Sequence, residues 1–277
     1  MNTTTRVALV TGASSGIGES AARHLHAAGF TVYGAARRID RMRDLAAIGI
    51  HPIALDVTDE ESATSAVERI LREQGRVDVL VNNAGYGSYG ALEEVPMQEA
   101  RAQIEVNVFG LAHLTQLVLP AMRAQKSGTV INIASMGGQF ATPLGAWYHA
   151  SKFAVEGLSD ALRLELDQFG INVVIIEPGS IRTEWGAIAA DKLRATSVNG
   201  PYATQAAGVA TALENSSKPN ARMTSSPDVI GKAVRDAATA RRPKTRYRVG
   251  FGAKPLVFLS RVLPTRTFDG LITRAAA

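Results

Sequence analysis

Tyr148 and Lys152 stand four residues apart in YHASK, at the start of a stretch to Gln168 with helical composition, so their side chains share one helix face. A phenol has an ordinary pKa of about 10, too high for free proton exchange near neutrality, and an ammonium beside it favours the phenolate. Each unit of downward shift corresponds to roughly 1.4 kcal/mol of preferential stabilisation. The pair therefore suits proton transfer at the oxygen of a carbonyl or an alcohol, the tyrosine serving as general acid in one direction and general base in the other. A Tyr and a Lys one turn apart also occur on ordinary solvated helix faces, so the reading depends on what surrounds them. Other chemistries lack their residues. There is no cysteine, which removes disulfides, thiolate catalysis and sulfur-ligated zinc and makes a reducing cytoplasm the simplest home. His24 and His26 are two apart, His51, His113 and His149 are scattered, and no H-x-x-x-H spacing points to a metal.

The elements that must position the pair are legible as an alternation. Short apolar runs at 6–10, 31–35, 51–55, 77–81, 129–133 and 172–177 are separated by longer helical patterns. The runs are apolar nearly throughout, as expected for strands covered by helices on both faces. The expected fold is α/β, a doubly wound parallel sheet in three layers, with the 277 residues forming a single domain. No run approaches transmembrane length, and the start MNTTTRVALVTG lacks a signal-sequence pattern. A helical run near 227–240 and a strand around Arg246–Val249 are expected further on.

Directly after the first strand comes TGASSGIGESAARHLHAAG. Glycines at a strand-to-helix turn let the backbone approach a pyrophosphate, whose charge the helix N-terminus attracts. The spacing of Gly12, Gly16 and Gly18 differs from G-x-G-x-x-G and lacks the Lys-Ser/Thr ending of a triphosphate-binding loop, which disfavours a triphosphatase.

These residues, Thr11-Gly12-Ala13-Ser14-Ser15-Gly16-Ile17-Gly18, together with Asn82-Asn83-Ala84-Gly85 and Tyr148-His149-Ala150-Ser151-Lys152, resemble the short-chain dehydrogenase/reductases across residues 6–183. The resemblance implies hydride transfer with a nicotinamide dinucleotide. It places Gly12, Ser14, Ser15, Gly16, Ile17 and Gly18 at the cofactor, with Asp56 and Val57 beside the adenine. Asn82, Asn83, Ala84 and Gly85 follow the fourth strand and flank it. Asn82 is also able simply to tie strands together, and Asp56 to cap the next helix. By the same resemblance Ser135 positions the substrate oxygen, Asn107 helps hold a water chain to Lys152, and Lys152 binds the nicotinamide ribose. Pro178, Gly179 and Ile181 meet the carboxamide side of nicotinamide, and Thr183 the pyrophosphate. Helices carrying Asn107 and Tyr148 commonly pair across subunits in this family, which implies a homodimer or homotetramer.

Cofactor choice has its own signal in VYGAARRIDR. An acid at the end of the second strand binds ribose hydroxyls and repels an added phosphate, whereas an arginine grips that phosphate. This chain has Ala36 there, followed by Arg37 and Arg38, and the expectation is NADP(H). Asp40, the nearest acid, is expected to cap the next helix.

The remainder is less readable. From about 183 to 227 the pattern dissolves into Ala, Ser, Thr, Asn and Gly, read as a substrate lid. Met136, Gln139, Phe140, Leu144 and Trp147 are expected to line the substrate pocket. The tail resembles that of hydroxysteroid and retinol dehydrogenases, implying a hydrophobic alcohol or ketone; small or polyketide-like carbonyls, and a catalytically silent dinucleotide sensor, are the other readings. Residues 241–277 hold nine basic residues against Asp269. No aromatic platform or helix-turn-helix accompanies them, so nucleic acid is not expected. KPLVFLSRVLPTR at 254–266 mixes apolar and basic residues; it could touch an anionic membrane or pack over the pocket, and packing is favoured.

Overall fold

Six short apolar runs become β1 (Val7–Thr11), β2 (Thr31–Ala36), β3 (His51–Ala54), β4 (Val79–Asn82), β5 (Gly128–Ile133) and β6 (Ile171–Pro178), and the half-buried RYRV adds β7 (Arg246–Val249). The computed structural model describes residues 5–197 and 199–276. All the strands run parallel in the order β3-β2-β1-β4-β5-β6-β7. The order reverses at β1, where Ala8 pairs with Val32 on one side and Val79 on the other. Such a reversal opens a crevice beyond the carboxyl ends of the strands.

The helices are α1 (Gly16–Ala27), α2 (Arg43–Ala47), α3 (Glu60–Gln74), α4 (Met97–Ile104), α5 (Gly110–Gln125), α6 (Ala146–Leu166), α7 (Trp185–Ser197), α8 (Ala203–Ser217), α9 (Asp228–Thr239), α10 (Ala253–Val262) and α11 (Thr265–Ala276). On one sheet face Val32, Val79 and Val174 meet Leu25 of α1 and Ile230 and Val234 of α9. On the other Leu9, Leu80 and Val130 meet Ile70 of α3 and Leu114 and Val118 of α5. Both faces of each central strand are thus buried, which is why the strands read as unbroken apolar runs. Local signals set the ends of the helices. Asp59 caps α3 by accepting from the Ser62 amide, and Gly75 closes it at φ 70°, a conformation that favours glycine.

A five-residue π-helical turn, Glu105–Phe109, joins α4 to α5. The continuous helix Met97–Gln125 is long and apolar enough to cross a membrane by length and composition, contrary to the expectation from sequence. Its apolar face is instead buried against the sheet through Leu114, Val118 and Met122. The 183–227 stretch, in which composition shows no helical pattern, contains α7 and α8 packed on each other. Ala189, Ala190 and Leu193 meet Ala206, Val209 and Ala210, and side chains this small leave little apolar contrast in the sequence. The tail is folded as well. Arg246 of β7 bridges Glu156 and Asp160 of α6 and Glu177 of β6, and Arg248 also pairs with the fully buried Glu177.

Candidate active site

The turn after β1 is built from backbone. Gly12 (φ 66°) and Gly16 (φ 57°) adopt left-handed conformations that favour glycine. Thr11 ties this turn to the one after β4: its Oγ1 accepts from the amides of Asn83 and Ala84, both at 2.9 Å, and Asn83 Nδ2 donates to the Thr11 carbonyl. Ser15 precedes α1 without making a side-chain capping bond, so the first amides of α1 are left for another acceptor. Gly18 serves packing rather than the crevice surface. A Cβ there would lie 2.2 Å from the Gly12 carbonyl oxygen, so only glycine lets α1 seat against the turn.

Tyr148 and Lys152 both project from α6 into a cleft of about 1030 Å³. Tyr148 is buried against Tyr89, 5.7 Å between ring centroids, and Trp185 at 5.1 Å. Burial pushes its phenol up to about 12, with the Ser135 hydroxyl pulling the other way. This corrects the expected depression by Lys152, whose ammonium donates to the Ile133 carbonyl at 2.9 Å instead. Loss of hydration pushes Lys152 down to about 8, opposed by the Glu156 carboxylate one turn away. Burial, and then the neighbouring Glu177 charge, push the Glu156 carboxyl up.

Ser135 lies two residues beyond β5, at the start of the short helical turn Met136–Gly138, and its Oγ accepts from the Gly137 amide at 3.0 Å. His149 holds that loop. Its Nε2 accepts from the Thr142 amide at 2.9 Å, which places the ring proton on Nδ1, donated to the Gly137 carbonyl at 2.8 Å. Burial pushes His149 below its ordinary value, in keeping with a neutral ring.

Asn107 sits in the π turn, buried, with its carboxamide bonded twice to the Tyr86 backbone and once to Ser151 Oγ. It fastens the loop after β4. None of these bonds goes to Lys152, and Asn107 is not part of the cleft wall. Asn82 ties β4 to β5, donating to Asn132 and Thr115.

The remaining expected cofactor residues surround the other end of the cleft. Ser14, Ser15, Gly16 and Ile17 line it beside Gly12; Asn83, Ala84 and Gly85 follow from β4; Pro178, Gly179, Ile181 and Thr183 follow from β6. Asp56, Val57, Arg37 and Arg38 close the far end. Arg37 is 77% exposed, with a guanidinium nitrogen 4.0 Å from the Asp56 carboxylate. Asp56 does not cap α3 but turns its carboxylate to Thr58, and Asp40 makes no capping bond at the short helical turn it occupies.

At the substrate end Met136 and Phe140 line the cleft as expected. Three other residues do not. Gln139 bonds to Glu177 and Arg261; Leu144, held at φ 62°, packs into the cluster with Tyr89; Trp147 is rotated about a third of a turn from Tyr148 on α6 and stays outside the wall. In their place the wall is built by Tyr86, Tyr89, Trp185, Ile188, Val209 and Leu213. Trp185 and Ile188 begin the helix that composition concealed.

Residues 6–193 match the short chain dehydrogenase family. The chain belongs to the short-chain dehydrogenase/reductase family, and is an oxidoreductase of that family. It is 44% identical to 3-ketodihydrosphingosine reductase of Bacteroides thetaiotaomicron, over 64% of this chain and 65% of that protein. It is 37% identical to NADPH-dependent 3-dehydrocapnine reductase of Ornithobacterium rhinotracheale, over 95% of each. Among solved structures, a short-chain dehydrogenase from Streptomyces avermitilis is 35% identical, with a TM-score of 0.80 over 99% of this chain and 98% of that one. A metagenomic short-chain oxidoreductase in complex with NADP is 30% identical, with a TM-score of 0.69 over 88% and 96%.

A nicotinamide dinucleotide fits this family member on its own residues. The backbone cradle at Gly12 and Gly16 leaves no room for a Cβ at Gly18, and the uncapped start of α1 faces the same crevice.

Proposed function

We propose that this protein is an NADP(H)-dependent reductase of an apolar ketone, its alcohol product being the substrate of the reverse reaction. When bound, the nicotinamide supplies the hydride. Tyr148 supplies the proton to the substrate oxygen, because a phenol held near 12 by burial stays protonated at neutral pH and acts as a donor. Ser135 Oγ, fixed by the Gly137 amide, bonds the same oxygen, and Lys152 holds the nicotinamide ribose. Arg37 and Arg38 take the adenosine 2′-phosphate at the end of β2, where Ala36 leaves no carboxylate to repel it. The apolar wall around Tyr148, chiefly Tyr89, Trp185, Ile188 and Leu213, carries the substrate reading. Two relatives named as reductases of 3-keto and 3-dehydro compounds favour an aliphatic-chain ketone over a steroid or retinoid. Phe109 and Phe153, exposed on neighbouring helical elements, offer an apolar face for pairing with a second copy.

Oxidation of NADPH and of NADH, followed with long-chain 3-ketones, steroid ketones, retinal and small ketones, tests the reading. Fast NADPH oxidation with the long-chain ketones is expected. Turnover confined to small ketones would overturn the substrate class, and cofactor binding without turnover on any carbonyl would favour the sensor. Sedimentation of the wild type and Phe153→Glu tests assembly, with a lower mass expected for the variant.

A further inference from the structure

The C-terminal hairpin of α10 and α11 has two unlike sides. Its inner side is part of the protein: Val257, Phe268 and Ile272 form a buried cluster with Phe140, against which Leu256, Leu259 and Met136 pack. Phe140 and Met136 in turn line the cleft, so the hairpin is the outer layer of the substrate wall. Its outer side carries large apolar side chains that nothing among the described residues covers. Phe258 is 64% exposed and Val262 54% exposed. Lys254, Phe258 and Val262 recur every four residues, on one helix stripe, with Arg261 beside them. The hairpin holds Lys254, Arg261, Arg266 and Arg274 against the single acid Asp269. Phe251, just before α10, is also exposed, and its amide bonds to Ser225. Its backbone pairs with Ser180, a residue of the cleft wall, so the apolar patch reaches the rim of the opening.

We propose that the outer face of α10 docks on an anionic lipid surface and holds the mouth of the cleft against it. An exposed apolar stripe flanked by cationic side chains is the arrangement that partitions into the headgroup boundary of such a surface. Charge selects this occupant over a second copy of the chain, because two such faces would bring like charges together. Not all of the tail takes part. Arg246 and Arg248 are consumed by Glu156, Asp160 and Glu177, and Arg241, Arg242 and Lys244 precede β7, at the sheet end opposite the cleft. The docking does not depend on the substrate reading above and is measured without substrate.

The test is flotation of the purified full chain with vesicles of phosphatidylcholine, alone or with about a third phosphatidylglycerol, at about 0.1 M salt. The wild type is expected to float with the anionic vesicles only. Lys254→Glu/Arg261→Glu should cut the bound fraction by about tenfold or more. Phe258→Ser, at a position too exposed to carry the fold, should also lower it, and Arg241→Glu/Arg242→Glu should leave it unchanged. Absence of wild-type binding to anionic vesicles overturns the proposal. So does an equal loss in the Arg241/Arg242 variant, which would mean diffuse basicity, or a drop in oligomer mass on Phe258→Ser, which would mean that the face is covered by another copy.

Discussion

The two ends of the cleft are made differently. The cofactor end is a backbone surface, shaped by Gly12 and Gly16 at positive φ and by the contact that only a glycine at position 18 allows. The substrate end is a side-chain surface, assembled from Tyr89, Trp185, Ile188 and Leu213, which come from a loop and two helices. A backbone surface tolerates few substitutions and binds one kind of ligand. A side-chain surface on packed helices can change its lining while the fold stays in place. Tyr148 stands where the two meet, with its ring in the aromatic cluster and its hydroxyl toward Ser135.

The sharpest way to separate the two ends is to remove the hydroxyl proposed to donate the proton, at Tyr148 between them. Tyr148→Phe keeps the ring packing against Trp185, and turnover is expected to fall by about 10²–10⁴ while NADPH affinity stays near wild type. Fluorescence titration beside steady-state rates checks this, and near wild-type turnover would remove Tyr148 from the chemistry. Next in size is a collision at the cofactor end. Gly18→Val drives a side chain into the Gly12 carbonyl, and a loss of about 1–3 kcal/mol of stability together with weakened NADPH binding is expected. Thermal melts with and without cofactor report both effects. The matching change at the substrate end is Trp185→Ala, for which KM should rise about tenfold, as for loss of a buried aromatic contact, with the Kd for NADPH little changed. If the two constants moved together, the division of the cleft would fail.

Smaller effects sharpen the cofactor end. Arg37→Ala should weaken NADPH relative to NADH by about 1.5 kcal/mol, the low end for a charged hydrogen bond because the side chain is well exposed. Ala36→Asp should move preference towards NADH. Dissociation constants for both cofactors decide, and equal wild-type affinities would defeat the role of Arg37. The least expected change is in pH dependence. Lys152 holds its ammonium below about 8 and loses it above, so NADPH affinity should decline by a few-fold as pH rises through that value. Glu156→Gln removes the carboxylate that favours the ammonium, so the midpoint should move to lower pH; a midpoint unchanged in this variant would show that Glu156 does not act on Lys152.

The sequence by itself determined the sheet, the glycine turn and the placing of Tyr148 and Lys152 on one helix face. Each of these is a local requirement: strands buried on both faces must be apolar throughout, a turn at positive φ favours glycine, and residues four apart on a helix share a face. Arg37 was legible for the same reason, lying directly at the end of β2. Tertiary structure decided what the reacting groups touch. Lys152 reaches the Ile133 carbonyl, Asn107 grips the Tyr86 backbone, and His149 clamps Gly137 and Thr142, contacts that depend on how α6 and the π turn dock on the sheet. It also decided the substrate wall, where α7 and α8 pack through alanines too uniform to stand out as a period. The sign of the Tyr148 shift followed suit: proximity along a helix favours the phenolate, but burial among Tyr89 and Trp185 costs the charged form more, and desolvation is a property of the assembled fold alone.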